Sequence, residues 1–185
     1  MAGAYRIQEL AIGRWPDSLA GWKIGYIPAD RRTTGDPDRL IGPIWRRQLH
    51  LGEEHTSSPE VGVFAAGFAA DFGNNHASVL GPVITDRAGG AAIWTSCHTD
   101  GQLHAEGSEE NLPGGLHHGL ATALNLLAER GHLVRAGMLF ATGATTGVHE
   151  IGVGQHCRVE VPGGPSVELR TVDARAGRVE PVSPR

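Results

Sequence analysis

The chain is poor in the residues that mark several large protein classes. It has 2 cysteines in 185 residues. Cys97 and Cys157 lie far apart, with neither metal-ligand spacing nor the density of a disulfide scaffold, and they fit a reducing, cytoplasmic compartment. No apolar run approaches the ~20 residues of a membrane span. The opening MAGAYRIQEL lacks the basic end and continuous apolar core of a signal peptide. Net charge is only −4 with acids and bases interspersed, so neither nucleic acid nor a membrane surface is an expected partner. Motifs are scarce too. HExxH, CxxC, GxSxG, GxGxxG and the P-loop are all absent, which counts against zinc proteases, serine hydrolases and nucleotide cofactors.

The most informative scarcity is lysine. Of 16 cationic side chains, all but Lys23 are arginine. Arginine stays charged at every accessible pH, whereas a desolvated lysine can release its proton and serve as acid, base or nucleophile. A single surviving surface lysine is the bland alternative.

What is present reads as one α+β domain over residues 1–185, rich in short strands. Ile7, Leu10 and Ala11 have helical spacing within residues 4–12. Strands are predicted at 20–27, 39–51 and 61–70, with a polar loop over 28–38. Further strands are predicted at 77–84, 91–97, 102–106, 137–142, 156–161 and 166–172. Asp100-Gly101 supplies hairpin-turn chemistry. A helix over 115–130 has Leu116, Leu120, Leu124 and Leu127 as its expected buried face, and Gly131 stands where a left-handed cap belongs. The tail from Arg175 reads as loose.

Three segments could carry chemistry. In Gly21-Trp22-Lys23-Ile24-Gly25, glycines allow close approach and apolar neighbours would desolvate the ammonium. Ala141-Thr142-Gly143-Ala144-Thr145-Thr146-Gly147 offers hydroxyls and open amides suited to a carboxylate, though it reads equally as a β-turn with solvated threonines. Asp71-Phe72-Gly73-Asn74-Asn75-His76 is a polar cluster whose default reading is a sharp turn. The ten histidines show no ligand spacing; His117 and His118 point to different sides of their helix, and His98 and His104 flank the hairpin.

In this order, AYRIQE, AGWKIG, GVFAAGFAA and DFGNNHASVLGP resemble the first half of 2-keto-4-pentenoate hydratases, members of the fumarylacetoacetate hydrolase superfamily. The stretch from HAEGSEENLPGG through ERGHLVRAGMLFATGATTGVHEIGVGQHCRVEV resembles their closing half. The resemblance runs to about Asp173. It implies a strand-rich mixed β-roll with flanking helices, a homo-oligomer, and an enolisable 2-oxo acid substrate. It also implies a divalent metal, magnesium or manganese, that stabilises an enolate. Lys23 matches the family's proton-moving lysine, Thr142 the Ser/Thr position where substrate is held, and Asp71, Asn74 and Asn75 a polar loop bordering the pocket.

One departure accompanies the match. The family binds metal through a Glu-x-Glu pair on the strand after GFAA and a third acid several dozen residues later. Here Ala70 is followed directly by Asp71, so the resemblance implies a segment missing between 70 and 71 and leaves no metal ligand to assign. Glu53, Glu54 and Glu60 precede the motif and do not take that role. The leading functional expectation is a lyase hydrating a 2-hydroxy-2,4-dienoate in the degradation of aromatic compounds. The alternatives are a 4-oxalocrotonate-type decarboxylase of the same family and a non-catalytic paralogue lacking the metal site.

Overall fold

The structure is a computed structural model that describes residues 1–51, 55–56, 69–70, 72–73, 75, 77–85 and 92–172. The chain opens with helix α1 (Ala2–Ile12), followed by strands β1 (Leu19–Tyr26) and β2 (Arg39–Trp45), and then by the short strands β3 (Leu49–Leu51), β4 (His55–Thr56) and β5 (Ser78–Leu80). The hairpin β6 (Trp94–Thr99) and β7 (Gln102–Ser108) leads to helix α2 (Gly115–Glu129), and β8 (Leu139–Ala141), β9 (His156–Glu160) and β10 (Ser166–Val172) complete the described elements.

Three sheets organise these strands. β1 lies between β2, antiparallel to it, and β8, parallel to it. A second sheet has the order β4-β10-β9-β6-β7, and β3 pairs with β5. The mixture of sheets and few helices is the expected α+β class.

Alternation along β1 decides which face is core. Trp22 and Ile24 are fully buried and share a cluster with Ile41, Ala123 and Leu127, so they face α2. β2 is buried at all seven positions yet contains Pro43. It tolerates that proline because it is the outer strand of its sheet, where a missing N–H breaks no ladder. α1 closes this edge: the Ile41 N–H donates to the Tyr5 hydroxyl at 3.1 Å, and Gln8 Nε2 donates to the Ile41 carbonyl at 3.0 Å. Both edge groups of Ile41 are thereby satisfied by a fully buried glutamine and a buried tyrosine.

The helix at 115–129 forms where its periodicity predicts, and of the four leucines expected to be buried Leu127 is fully so. Gly119, Ala123 and Leu127 form the seam, while Leu124 is 37% exposed and Leu116 and Leu120 are half-buried. The first seam position is in contact with its surroundings: a Cβ on Gly119 would stand 3.4 Å from Arg39 Nε and 3.7 Å from the Thr142 carbonyl oxygen. Small residues thus share the interface with Leu127, and the other three leucines flank it. Its end is as predicted. Gly131 has φ +75°, the Gly131 N–H donates to the Ala128 carbonyl at 3.0 Å, and the His132 N–H donates to the Leu127 carbonyl at 2.9 Å, which is a Schellman closure.

Arg39 fixes the other end of α2. Its buried guanidinium donates to the Pro113 carbonyl, pairs with Asp38 Oδ2 at 2.9 Å and lies 4.8 Å from the centre of the Tyr26 ring. At Asp100-Gly101 both residues have positive φ, 49° and 80°, as a type I′ turn requires. The strand expected at 61–70 falls mostly outside the described residues, and its last two, Ala69 and Ala70, are helical. The tail beyond Val172 also lies outside them.

Candidate functional site

Lys23 is half-buried at the middle of β1, on the face opposite Trp22 and Ile24. Its partners across the sheet are Gly42 on β2 and Ala141 on β8. In each pair the two side-chain positions share a face, so the lysine is bordered by one glycine and one alanine. Glycine lets other backbone approach here. A Cβ on Gly21 would stand 2.8 Å from the Leu139 carbonyl carbon, and one on Gly42 would collide with the Phe72 carbonyl and stand 2.8 Å from Gly73 N. The glycines around the lysine thus mark contact with β8 on one side and with residues 72–73 on the other.

Phe72, Gly73 and Asn75 are each held by neighbours. Phe72 adopts φ +52°, a left-handed conformation a phenylalanine rarely takes. Its ring meets Trp15 and Trp45 edge-on at 5.2 and 5.6 Å, and those two indoles stack at 5.7 Å. Asn75 Nδ2 donates to the Pro43 carbonyl at 3.1 Å, so this predicted polar residue ties its loop to β2. Asp71 and Asn74, the other two residues predicted in this loop, lie outside the described residues, as does the geometry of the 70–71 junction.

Thr142 follows β8 directly and is half-buried, one position beyond Lys23's neighbour Ala141. The loop it begins is locked to the second sheet. Thr145 Oγ1 lies 2.7 Å from Thr95 Oγ1, Asn111 Nδ2 donates to the Thr145 carbonyl at 3.5 Å, and Gly107 has no room for a Cβ against that carbonyl. Register therefore places Lys23 beside Gly42, with the Phe72 carbonyl over that glycine, and leaves Thr142 one residue past Lys23's parallel partner Ala141. Gly42 and Phe72 were missed as site-forming residues. The available signal was Gly42-Pro43 inside an otherwise apolar strand run, a pattern that marks close backbone approach.

The donor set does not suit a divalent metal. Hard cations of this kind take several carboxylate or carbonyl oxygens, and among the described residues no three of His, Cys, Asp and Glu converge. Several described carboxylates elsewhere are engaged with basic side chains. On the second sheet Glu160 meets Arg158 Nη2 at 2.8 Å and His98 Nε2 at 3.5 Å, and Glu168 meets His156 Nε2 at 3.0 Å. His104 meets the His149 ring edge-on at 4.6 Å.

A cavity of about 770 Å³ lies between α1, residues 34–37 and the end of α2. Its polar lining belongs to a structural network. The Glu9 carboxylate accepts from Arg130 Nε at 2.7 Å and from His132 Nε2 at 2.9 Å, and Arg130 stacks over the Tyr5 ring at 4.2 Å. Burial alone would raise the Glu9 carboxyl, but the bonds from His132 and Arg130 outweigh it and hold the group below the usual carboxylate range. This cavity lies on the Trp22 side of the sheet, since Arg130 also approaches the Trp22 ring at 5.8 Å. Lys23 faces away from it.

No family model matches the sequence, and no curated protein matches it. Solved structures do match the fold. One is 4-oxalocrotonate decarboxylase from Pseudomonas putida G7 complexed with calcium and acetate, with TM-score 0.75, 17% identity, and coverage of 92% of this chain and 85% of that one. The same enzyme complexed with magnesium and adipate gives TM-score 0.73 at 17% identity, covering 92% and 86%. A 5-carboxymethyl-2-hydroxymuconate delta-isomerase from Mycobacterium smegmatis gives TM-score 0.53 at 14% identity, covering 85% and 79%.

Proposed function

The chain has the fumarylacetoacetate hydrolase-like α+β fold, and we propose that it is a lyase acting on an enolisable 2-oxo acid, hydrating a 2-hydroxy-2,4-dienoate. The observation that carries this reading is the placement of the only lysine. β1 sets Lys23 on one sheet face with Gly42 and Ala141 as partners, and the Phe72 carbonyl stands over Gly42. In this reading Lys23 moves protons: it takes the 2-hydroxyl proton of the dienol and returns one to the far carbon of the diene, leaving a conjugated 2-oxo acid. Water then adds at the end of the remaining double bond remote from the carbonyl, and a proton reaches its other end, next to the carbonyl, so the net change is one water gained. Thr142 would hold the substrate carboxylate by its hydroxyl.

The second reading is decarboxylation of a 2-oxo dicarboxylate, which passes through the same dienolate. It is favoured by the two decarboxylase structures of the same fold. Incubation of the full chain with 2-hydroxypenta-2,4-dienoate and, separately, with 4-oxalocrotonate, followed by mass spectrometry of products, distinguishes these. Gain of one water from the first supports hydration, and loss of carbon dioxide from the second supports decarboxylation. Turnover of neither would reduce the chain to a non-catalytic relative of such enzymes.

A further inference from the structure

We propose that Cys97 and Cys157 form a reversible disulfide site, closed by exchange with a low-molecular-weight disulfide and reopened by excess thiol. The inference is independent of the Lys23 reading.

These are the chain's only cysteines, and the fold brings them together across 60 residues of sequence. Their sulfurs lie 3.8 Å apart on the neighbouring strands β6 and β9. Strand register sets this contact. Cys97 pairs with Val159, and Thr99 pairs with Cys157, so the two thiols are diagonal neighbours on one face of the second sheet. Their cross-strand partners on that face include Ala105, Val159 and Leu169. Among the described residues no third His, Cys, Asp or Glu joins the pair to make a metal site.

A disulfide holds its sulfurs at ~2.05 Å, so closure asks each sulfur to advance by about 1 Å. Diagonal α-carbons in a regular sheet stand ~7–8 Å apart, just beyond the ~4.4–6.8 Å of most disulfides. Closure must therefore draw β6 and β9 together. β6 is able to yield at this point, because its pairing with β7 shifts register between Cys97 and His98, and such an irregularity lets a strand bend. A bond closed against this spacing is strained, and strained disulfides are easily reduced.

Cys97 is buried and Cys157 half-buried, so Cys157 meets the reagent first. Its thiolate attacks one sulfur of the small disulfide, which releases one thiol and leaves a mixed disulfide on Cys157. The Cys97 thiolate then attacks the Cys157 sulfur and releases the second thiol. Two protein thiols are oxidised, one small disulfide is reduced, and the two protons leave on the released thiols. The Cys157 thiol is pushed up to about 11, chiefly by burial, which makes the first attack slow at neutral pH.

The test uses the full-length chain, fully reduced and then freed of reductant. It is incubated overnight with excess oxidised glutathione at about pH 8.5, quenched with acid and weighed by mass spectrometry. The intact chain should lose two hydrogens and both alkylatable thiols, and digestion should yield one peptide pair linked through Cys97 and Cys157. Excess reduced glutathione should restore both thiols. Cys97→Ser should stop with one glutathione on Cys157. Retention of both thiols, a lasting glutathione adduct on the unaltered chain, linkage between chains, linkage that forms only in urea, or a bond that survives excess reduced glutathione would each overturn the proposal.

Discussion

Lys23 and Gly42 are direct partners across β1 and β2, and the carbonyl of Phe72 occupies the space a side chain on Gly42 would need. The lysine and the backbone that follows the 70–71 junction are thus neighbours by strand register, and both sequence and chain geometry at this point bear on what the site can do.

If Lys23 moves protons, Lys23→Arg should fold normally and lose nearly all lyase turnover, because arginine cannot release its proton near neutral pH. The rate of dienol consumption, compared with the melting temperature of the same sample, provides the check. Near-normal turnover would remove Lys23 from the chemistry.

Gly42→Ala should destabilise the protein by about 1–3 kcal/mol through overpacking, because the added Cβ meets the Phe72 carbonyl and Gly73 N rather than a flexible side chain. Gly3→Ala is the matched control. Gly3 is an exposed α1 position with nothing within 4 Å of the new carbon, and alanine there should gain up to about 1 kcal/mol from helix propensity. Urea unfolding of the two variants separates steric from general effects.

The face of α2 gives a sharp contrast. Leu127→Ala removes a fully buried side chain from the core cluster and should cost about 2–5 kcal/mol. Leu124→Ala, at a 37% exposed position, should cost less than about 1 kcal/mol. Equal costs at the two positions would mean that the helix is rotated from the orientation described.

Glu9 contributes a pH dependence of definite sign. Its carboxyl is held below the ordinary 4.5 by His132 and Arg130 despite burial. Its contribution is therefore complete above the unfolded-state value and disappears as pH falls through the lower folded-state value. Melting temperature measured from about pH 6 down to pH 3 should fall more steeply for the unaltered chain than for Glu9→Gln, and parallel curves would contradict the pairing.

Cys157 should be slow to alkylate. Burial, with Cys97 sulfur 3.8 Å away, pushes its thiol up to about 11, so little thiolate exists at neutral pH. Iodoacetamide at pH 8 should label it far more slowly than in urea, and rapid labelling of the folded chain would show the thiol to be accessible and ionised.

The fold was legible wherever a local rule was strong. Asp100-Gly101 specified its turn because both positions need positive φ, and the Asp100 carboxylate, accepting from the His156 N–H at 2.9 Å, then ties that turn to β9. Gly131 specified the end of α2 in the same way. The buried face of that helix was legible only in part. Leucine spacing favoured Leu116, Leu120, Leu124 and Leu127, yet of these only Leu127 is fully buried, beside Gly119 and Ala123, because which face meets the sheet is a property of two elements together. Gln8 was equally silent, since a polar residue in an amphipathic helix reads as solvent-facing until the edge of β2 needs its amide.

The sequence by itself determined that Lys23 is the single lysine of the chain, and that Ala70 runs directly into Asp71, since both are statements about covalent composition. Only the tertiary structure decided that Lys23 lies across from Gly42 and beside Ala141, with Phe72 pressed on the glycine and Thr142 one residue beyond the alanine. Those neighbours are distant along the chain, and strand pairing, which no local preference encodes, is what brings them together.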